Sequence, residues 1–344
     1  MSSPVGVEVI VPVYNGRRTL AGCIDALLRQ TVLPQAVWVV DNGSTDGTYE
    51  WLLERSKEQP RLRVLREFRR GQAAARNAAL PGVEAEVVAF TDADCVPEPT
   101  WLERLVQEYG DERVGAVAGA VVGHAPGNLV ERYLSVAAFP TPREAQVAEG
   151  YEFPTVAFYT ANLSARAQVL RRVGGFDEAM PPADDLDLCC RILRAGWRIA
   201  YTPAARVGHV HRSRLWAMLV RLYQYGASRP KLLRKNCEGT FYALVGRRQW
   251  VWRGGPTGCL NLTSPEKVCM TLGALSLWVP WFLAPLGAYL VRLGLKVARA
   301  GRERGVDTRS GWEVAAWAAL HVAEFAAVNV GSLLASARHR VICF

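Results

Sequence analysis

The sequence predicts an α/β fold in which a mostly parallel sheet carries helices on both of its faces. Short apolar runs alternate with segments whose apolar residues recur at helical spacing, and this alternation is typical of parallel sheets. Aspartates follow two of the apolar runs, Asp41 after one and Asp92 and Asp94 after another. Because ligands of such sheets bind beyond the carboxyl ends of the strands, the pattern also predicts where the functional site lies.

The first hundred residues give the clearest alternation. We expect strands over residues 8–13, 37–40, 63–65 and 86–90, and helices over about residues 20–28, 48–55 and 73–80. A dense cluster of turn residues, 41–47, separates the second strand from its helix. Thr100 and Glu103 fit a capping box that would begin the next helix.

The elements after residue 110 are expected to continue this pattern at wider spacing. The predicted strands are 114–122, 155–160 and 198–202, and the predicted helices are 167–173, 186–195 and 216–225. Beyond about residue 230 the composition changes to basic loops and long apolar segments.

The composition favours anionic partners. The 344 residues carry a formal net charge of +9, which suits nucleotide phosphates and acidic lipid. No basic-aromatic nucleic-acid motif is evident, so nucleic acid is not an expected partner. The eight cysteines are scattered without a C-x-x-C pair, and no signal peptide is visible. We therefore expect a cytoplasmic chain with reduced thiols.

The Asp-x-Asp sequence at Asp92 and Asp94 is a candidate metal site. In an extended chain the two side chains point the same way, and like charges held together repel unless a cation lies between them. Carboxylate oxygens suit Mg²⁺ or Mn²⁺, and such an ion could clamp the phosphates of a nucleotide. A solvated turn is the alternative interpretation.

Several weak motifs become specific when they are taken in order. Polar and glycine-containing clusters occur at 11–16, 40–46, 70–77, 91–94, 174–178, 184–191, Pro203 and 209–211. This ordered set resembles the family 2 glycosyltransferases, which are inverting enzymes with the GT-A fold that use nucleotide-sugar donors. The resemblance covers about residues 7–228.

The resemblance implies a donor-binding half of the site. Asp41 would bind the uracil or ribose side of the donor nucleoside, near Pro12 and Tyr14. Arg76 would lie near the diphosphate, and Asp92 would orient the nucleotide or the sugar.

The resemblance also implies a metal ion. Asp94 would coordinate Mn²⁺ or Mg²⁺ at the diphosphate. Alternation puts His209 and His211 on one face if that segment is extended, so one of them, preferably His209, could complete the metal shell. A purely structural role for both histidines is the alternative.

An inverting transfer needs a carboxylate that takes the proton of the acceptor hydroxyl. Family members usually have Glu-Asp at this position, whereas this chain has Asp184-Asp185. We expect Asp185 to be the base, with Asp184 beside it. The alternative is that one of the two merely caps the following helix.

The C-terminal part contains a candidate membrane segment. Residues 268–291 include no charged side chain, and about 20 apolar residues suffice to span a bilayer. Pro280 and Pro285 would kink this stretch or split it into a re-entrant or interfacial hairpin.

A second apolar stretch, 314–335, is weaker because it contains Glu324, which is costly at mid-depth unless it is paired. The segment between the two stretches is basic, so two full spans would oppose the positive-inside tendency. A re-entrant or monotopic attachment at the cytoplasmic face is therefore favoured over two spans. A soluble helical lid is a further alternative.

Together these expectations define three regions: a GT-A catalytic domain over 1–228, a basic juxtamembrane linker over 229–266 and a membrane-associated helical segment over 267–344. The expected activity is metal-dependent transfer of one hexosyl group, with UDP as the expected nucleotide, to a lipid-linked or other glycan acceptor at the membrane, as in cell-surface polysaccharide synthesis. Residues 247–250 do not match the Gln-x-x-Arg-Trp motif of processive synthases, which favours single-sugar transfer. The alternatives are a sugar-phosphate nucleotidyltransferase and an inactive nucleotide-sugar-binding module.

Overall fold

The computed structural model describes residues 5–140, 142–150, 158–180, 182–246, 248–308 and 310–343. The chain separates into two compact units. The first unit comprises Met1–Ala125 and Phe139–His211, and the second comprises Pro126–Ala138 and Arg212–Phe344.

The secondary structure alternates in the first unit and is mostly helical in the second. The strands are β1 (Val7–Val13), β2 (Val37–Asp41), β3 (Leu62–Arg66), β4 (Val87–Phe90), β5 (Cys95–Pro97), β6 (Val114–Gly123), β7 (Gln146–Ala148), β8 (Leu163–Arg166), β9 (Arg198–His209), β10 (Thr240–Val245), β11 (Arg248–Arg253), β12 (Gly258–Asn261) and β13 (Ile342–Cys343). The helices are α1 (Leu20–Leu28), α2 (Thr48–Glu58), α3 (Gln72–Ala79), α4 (Trp101–Gln107), α5 (Leu129–Ala137), α6 (Ala167–Val173), α7 (Asp184–Arg194), α8 (Leu215–Asn236), α9 (Pro265–Trp278), α10 (Leu283–Glu303) and α11 (Gly311–His339).

The first unit is built on one twisted sheet, with the strand order β3-β2-β1-β4-β8-β6-β9-β5 and β7 paired to β9. The strands from β3 to β4 are parallel, as the sequence predicts. Beyond β4 the sheet is mixed, because β8 runs antiparallel to both of its neighbours. Strands β1 and β2 are buried along their whole length, and apolar side chains cover both faces of the sheet. The predicted α/β class is confirmed.

Two local predictions in this unit are wrong. Thr100 does not cap α4 with its side chain, because its backbone is not extended (φ −98°, ψ 10°), and Glu103 accepts a hydrogen bond from Thr31 instead. Of the strand predicted over 155–160, residues 155–157 lie outside the described residues, and Thr160–Asn162 form a 3₁₀ turn. The strand of this region is β8, which the sequence pattern missed.

The second unit contains the small sheet β11-β10-β12-β13 and the long helices. The predicted boundary at residue 228 falls inside α8. Residues 229–266 are not a linker, since they hold the end of α8 and the strands β10, β11 and β12. Helix α5 also belongs to this unit, although its sequence interrupts the first unit.

The apolar stretch 268–291 is not one continuous helix. Helix α9 ends at Trp278, a 3₁₀ turn follows at Pro280–Phe282, and α10 begins at Leu283. Among the described residues, two segments are long and apolar enough to cross a membrane: Pro280–Glu303, with a mean hydropathy of 1.3, and Gly311–His339, with 1.5. These segments could anchor the chain to a membrane.

Candidate active site

The parallel strands bring the predicted donor residues to one edge of the sheet. Strand β1 lies between β2 and β4, and its last residue, Val13, pairs with Asp41 at the end of β2. Asp92 follows the end of β4 on the other side of β1. The expected convergence of Asp41 with the Asp-x-Asp sequence is therefore seen in the fold.

Asp41 organises the loop that follows β2. Its buried carboxylate accepts hydrogen bonds from the amides of Gly43 and Ser44, each at 3.2 Å, and lies 3.4 Å from Arg66 Nε. Through these contacts Asp41 fixes the conformation of the loop after β2. Recognition of the nucleoside by Asp41 stays a prediction.

The loop after β1 is joined to the loop after β2 by Asn15. Its amide donates to Ser44 Oγ at 2.9 Å, and its side-chain oxygen accepts from the amide of Thr45 at 2.8 Å. Asn15 adopts a left-handed backbone conformation (φ 52°), which asparagine tolerates better than most residues. Pro12, inside β1, leads into this loop, which is therefore rigidly placed at the strand ends.

Tyr14 is 52 % exposed at the same edge, and the guanidinium of Arg70 lies over its ring at 4.4 Å. Asn42 fixes the segment that follows β3, since its side-chain amide donates to the carbonyls of Glu67 and Arg69. Asn42 and Arg70 belong to the clusters 40–46 and 70–77, but the spacing of these residues did not identify them as candidate site residues.

Arg76 connects the two halves of the predicted site. Its side chain is fully buried, with Nη1 at 2.8 Å from Asp184 Oδ2 and Nη2 at 2.9 Å from Asp92 Oδ1. Its Nε finds no hydrogen-bond partner among the described residues. These contacts make Arg76 a bridge between carboxylates, and its predicted proximity to a diphosphate stays a prediction.

Asp92 and Asp94 contact different partners, and a cation held between them stays a prediction. The chain turns at Ala93 and Asp94, and the amide of Cys95 bonds back to the carbonyl of Asp92 at 3.0 Å. Asp92 consequently binds Arg76, whereas Asp94 lies 3.4 Å from His209 Nε2.

Asp94 and His209 meet because β5 pairs with the end of β9, where Cys95 lies opposite His209. Ligand atoms of these three residues lie within 4.8 Å of one another. Burial, with Asp94 and Asp92 next, raises the pKa of the Cys95 thiol well above its usual value, so sulfur stays protonated. A carboxylate and an imidazole remain, and this donor pair fits a divalent ion such as Mn²⁺.

The environment of the two histidines is apolar. Phe139 packs against both imidazoles, and the two ring centroids are 4.8 Å apart. Burial, together with His209, lowers the pKa of His211 to about 3, so its ring is neutral. His209 Nδ1 and His211 Nε2 are buried and have no hydrogen-bond partner within the described ranges. Of the two candidates, the structure places His209 beside Asp94.

Asp184 and Asp185 lie in the first turn of α7. The N-cap of this helix is Ala183, so neither aspartate is the capping residue of the alternative interpretation. Asp185 is half-buried, and its Oδ1 accepts from the amide of Leu186 at 2.8 Å. Burial, with the adjacent Asp184 carboxylate next, raises the pKa of Asp185 to about 7.

The loop before α7 is held against α3 by Asn77, a residue whose role the sequence did not reveal. Asn77 donates to the carbonyl of Phe176 and accepts from its amide, both at 2.9 Å. Gly175 has φ +67°, and a Cβ there would lie 2.8 Å from Asn77 Oδ1, so this position requires glycine. The Gly-Gly-Phe motif thereby fixes the approach to Asp184 and Asp185.

A sheet of this topology, with carboxylates gathered at the strand ends, has the GT-A fold. A solved mannosyltransferase from Pyrobaculum calidifontis, in complex with GDP-Man and Mn²⁺, matches with a TM-score of 0.58 at 22 % identity over 96 % of this chain and 88 % of that one. The family model "Glycosyl transferase family 2" matches residues 8–172.

Curated relatives agree with this class. A pre-mycofactocin glycosyltransferase of Mycobacterium tuberculosis is 38 % identical over 266 residues, which are 75 % of this chain and 54 % of the relative. Glycosyltransferase AglE of Haloferax volcanii is 34 % identical over 201 residues, 57 % of this chain and 64 % of the relative. The chain therefore belongs to glycosyltransferase family 2. It spans about half the length of the mycobacterial relative (54 %).

Proposed function

We propose that this chain is a metal-dependent, inverting glycosyltransferase that moves one hexosyl group from a nucleotide-sugar to a hydroxyl of a lipid-linked or membrane-proximal acceptor. UDP is the proposed donor nucleotide, and cell-surface glycan synthesis at the cytoplasmic face of the membrane is the proposed setting. The observation that carries the proposal is Arg76, whose guanidinium joins Asp92 to Asp184 beside Asp185. One buried cation thus ties the end of β4 to the carboxylate pair of α7.

The proposed base is Asp185. In an inverting transfer the acceptor oxygen attacks the anomeric carbon, the bond to the nucleotide diphosphate breaks, and the hydroxyl proton passes to a carboxylate. A base acts best when its pKa lies near the working pH, and the pKa of Asp185 is raised to about 7. Asp185 is half-buried in the first turn of α7, next to Asp184.

The proposed donor half uses Asp94 and His209 to hold a divalent ion, Mn²⁺ or Mg²⁺. When bound, the ion neutralises diphosphate charge and acts as a Lewis acid on the leaving group. Tyr14, with half of its side-chain surface open, and the loop fixed by Asp41 offer a face for the nucleoside. The GDP-Man and Mn²⁺ bound to the P. calidifontis mannosyltransferase support a nucleotide-sugar and a divalent ion as ligands of this fold.

The decisive experiment measures release of nucleoside diphosphate from a panel of UDP-, GDP- and dTDP-sugars, with and without Mn²⁺ or Mg²⁺. Metal-dependent release of the diphosphate supports the glycosyltransferase proposal. Pyrophosphate-dependent formation of the nucleoside triphosphate would identify a nucleotidyltransferase instead. Absence of any turnover together with a thermal shift by the nucleotide-sugar would identify a binding module.

The role of Asp185 is tested by the Asp185→Asn variant. Because the amide cannot accept the proton, transfer should fall by about 10²- to 10⁴-fold, whereas donor affinity, measured by thermal shift, stays nearly unchanged. In the unchanged enzyme kcat/KM should rise as the pH rises through about 7 and then level off, since only the deprotonated carboxylate is active. Near-normal turnover of the variant would refute the assignment.

A further inference from the structure

The charge-free stretch 268–291 forms a hairpin of two antiparallel helices. Tyr289 on α10 has Cys269 and Glu266 among its electrostatic neighbours, and both of these lie in the first part of α9. The two helices therefore fold back on each other, with the 3₁₀ turn Pro280–Phe282 at the apex. Pro285 lies in the first turn of α10, where the missing amide hydrogen costs no helical bond.

The surface of this hairpin is apolar and open. Leu277, Trp278 and Trp281 at the apex are 86 %, 88 % and 85 % exposed. Further exposed apolar side chains line both helices: Met270, Leu275, Val279, Leu283 and Val291. A helix that is apolar all round is covered either by protein or by lipid, and the described residues do not cover this one.

The depth of the apolar part matches one leaflet. From the apex, α9 runs 11 residues back to Val268, about 16 Å at 1.5 Å per residue. Helix α10 runs nine residues to Val291, about 14 Å. A bilayer core is about 30 Å thick, so each arm reaches about halfway before Lys267 or Arg292 interrupts it.

Helix α11, the other apolar segment, makes polar contacts with α5 and α9. Its His321 and Glu324 both hydrogen-bond with the hydroxyl of Tyr133 on α5. Its Asn329 donates to Glu266 at the start of α9 at 2.5 Å.

The glycines of α11 and α8 bring the two backbones together. A Cβ on Gly331 would lie 2.2 Å from the carbonyl oxygen of Tyr223, and one on Gly226 would lie 1.9 Å from that of Val328. Helix α11 thus packs closely against α8, and its polar side chains have hydrogen-bond partners inside the second unit. These contacts explain how Glu324 is accommodated in an apolar sequence.

The charges around the hairpin favour an anionic membrane as its occupant. Exposed Arg292, Lys296 and Arg299 follow the apolar part of α10, where they would meet lipid headgroups. The two apical tryptophans have the amphipathic rings that membrane interfaces favour. We propose that the α9–α10 hairpin inserts into one leaflet of an anionic membrane without crossing it. Because vesicle binding requires no turnover, this inference does not depend on the proposed sugar transfer.

The first test is flotation of the full chain with vesicles of phosphatidylcholine, with or without phosphatidylglycerol. The Trp281→Glu variant should partition on the order of a hundredfold less, since a charge inside the hydrocarbon is costly. Leu33→Glu is the control, because Leu33 is an exposed apolar residue of the first unit. Omission of phosphatidylglycerol should weaken binding about fivefold or more.

Three outcomes would overturn the proposal. Unchanged flotation of Trp281→Glu, or loss of binding by Leu33→Glu as well, would exclude the hairpin as the lipid contact. Self-association in detergent-free buffer that is abolished by Trp281→Glu, without vesicle binding, would identify a second copy of the chain as the occupant.

A second test separates insertion into one leaflet from a full span. Val279→Cys is introduced at the apex in a Cys269→Ser background, because the other seven cysteines are buried. A membrane-impermeant maleimide trapped inside proteoliposomes should fail to label this position. Labelling from the lumen would mean that the apex crosses the bilayer, which would overturn the proposal.

Discussion

The two units of this family 2 chain bury charged side chains in contrasting ways. In the first unit Arg76 joins two carboxylates, and one of them, Asp184, adjoins the half-buried Asp185. In the second unit Arg132 on α5 binds Glu313 on α11 at 2.9 Å, and both of these side chains are buried. We call the first network open, because Asp185 beside it is half-buried, and the second closed, because both of its side chains are buried. The proposed base thus lies beside the open network.

The largest expected effect is that of Arg76→Met. Loss of the cation leaves Asp92 and Asp184 uncompensated, so we expect about 3 kcal/mol of lost stability and about a hundredfold loss of transfer. Since Arg76 lowers the pKa of Asp185, the rising limb of the pH–rate profile should move to higher pH. Arg76→Lys keeps the charge but cannot contact both carboxylates in the same way, so its stability and its transfer rate should lie between those of the unchanged enzyme and of Arg76→Met.

Arg191→Met is the matched control for Arg76. Arg191 binds Asp187 on the same helix at 2.8 Å and also the carbonyls of Val173 and Gly175. Loss of Arg191 should lower the melting temperature without shifting the rising limb of the pH–rate profile. A pH limb that is identical in the Arg76→Met and unchanged enzymes would reduce Arg76 to a purely structural residue.

Next in size is His209→Ala, which removes one of the two proposed metal ligands. The Mn²⁺ concentration needed for half-maximal donor hydrolysis should rise about 10- to 100-fold. Cys95→Ser is the control, because a buried, protonated thiol is a poor ligand and the Mn²⁺ requirement should not change. Titration of Mn²⁺ binding without donor gives a second readout, and equal affinities in all three proteins would contradict the assignment.

Arg132→Met tests the closed network of the second unit. Breaking this pair removes the charge that Arg132 holds against the buried Glu313, so the free energy of unfolding should fall by about 3 kcal/mol. Metal-dependent donor hydrolysis of the folded fraction should stay within about twofold, because the open network of the first unit is untouched. Denaturant titration and hydrolysis assays on the same preparation check both statements. A loss of hydrolysis as large as that of Arg76→Met would remove the distinction between the networks.

The fold was predictable where its signals are local. The strands β1 to β4 follow from short apolar runs with turn residues between them, and their parallel pairing follows from the alternation with helices. Strand β8 was missed because it is only four residues long and buried throughout, so it shows no alternating pattern. The length of β9 and the inclusion of α5 in the second unit depend on distant contacts that no local pattern contains. The break between α9 and α10 was predictable from Pro280, because proline ends or kinks a helix.

The sequence named the candidate site residues, but it did not predict which of them contact one another. Asp184 is separated from Arg76 by more than a hundred positions, and their ion pair depends on how α7 is placed beside α3. The turn at Ala93 and Asp94 also altered the expected geometry, since it directs Asp92 and Asp94 to different partners. Spacing identifies which side chains gather at the strand ends, whereas burial decides which pairs form.

The smallest effect concerns the helix caps, for which the two units again differ. The sequences at Thr100 and Asn128 both place a glutamate three residues after a polar residue, but only Asn128 forms the capping box. Asn128 has an extended backbone (φ −116°, ψ 176°) that lets its side chain accept from the amide of Glu131 at 2.9 Å, whereas Thr100 does not. Asn128→Ala should therefore cost about 1 kcal/mol of unfolding free energy, and Thr100→Ala close to none. Equal losses in denaturant titration would mean that the capping sequence, rather than the backbone conformation at the cap, determines the stability of these helices.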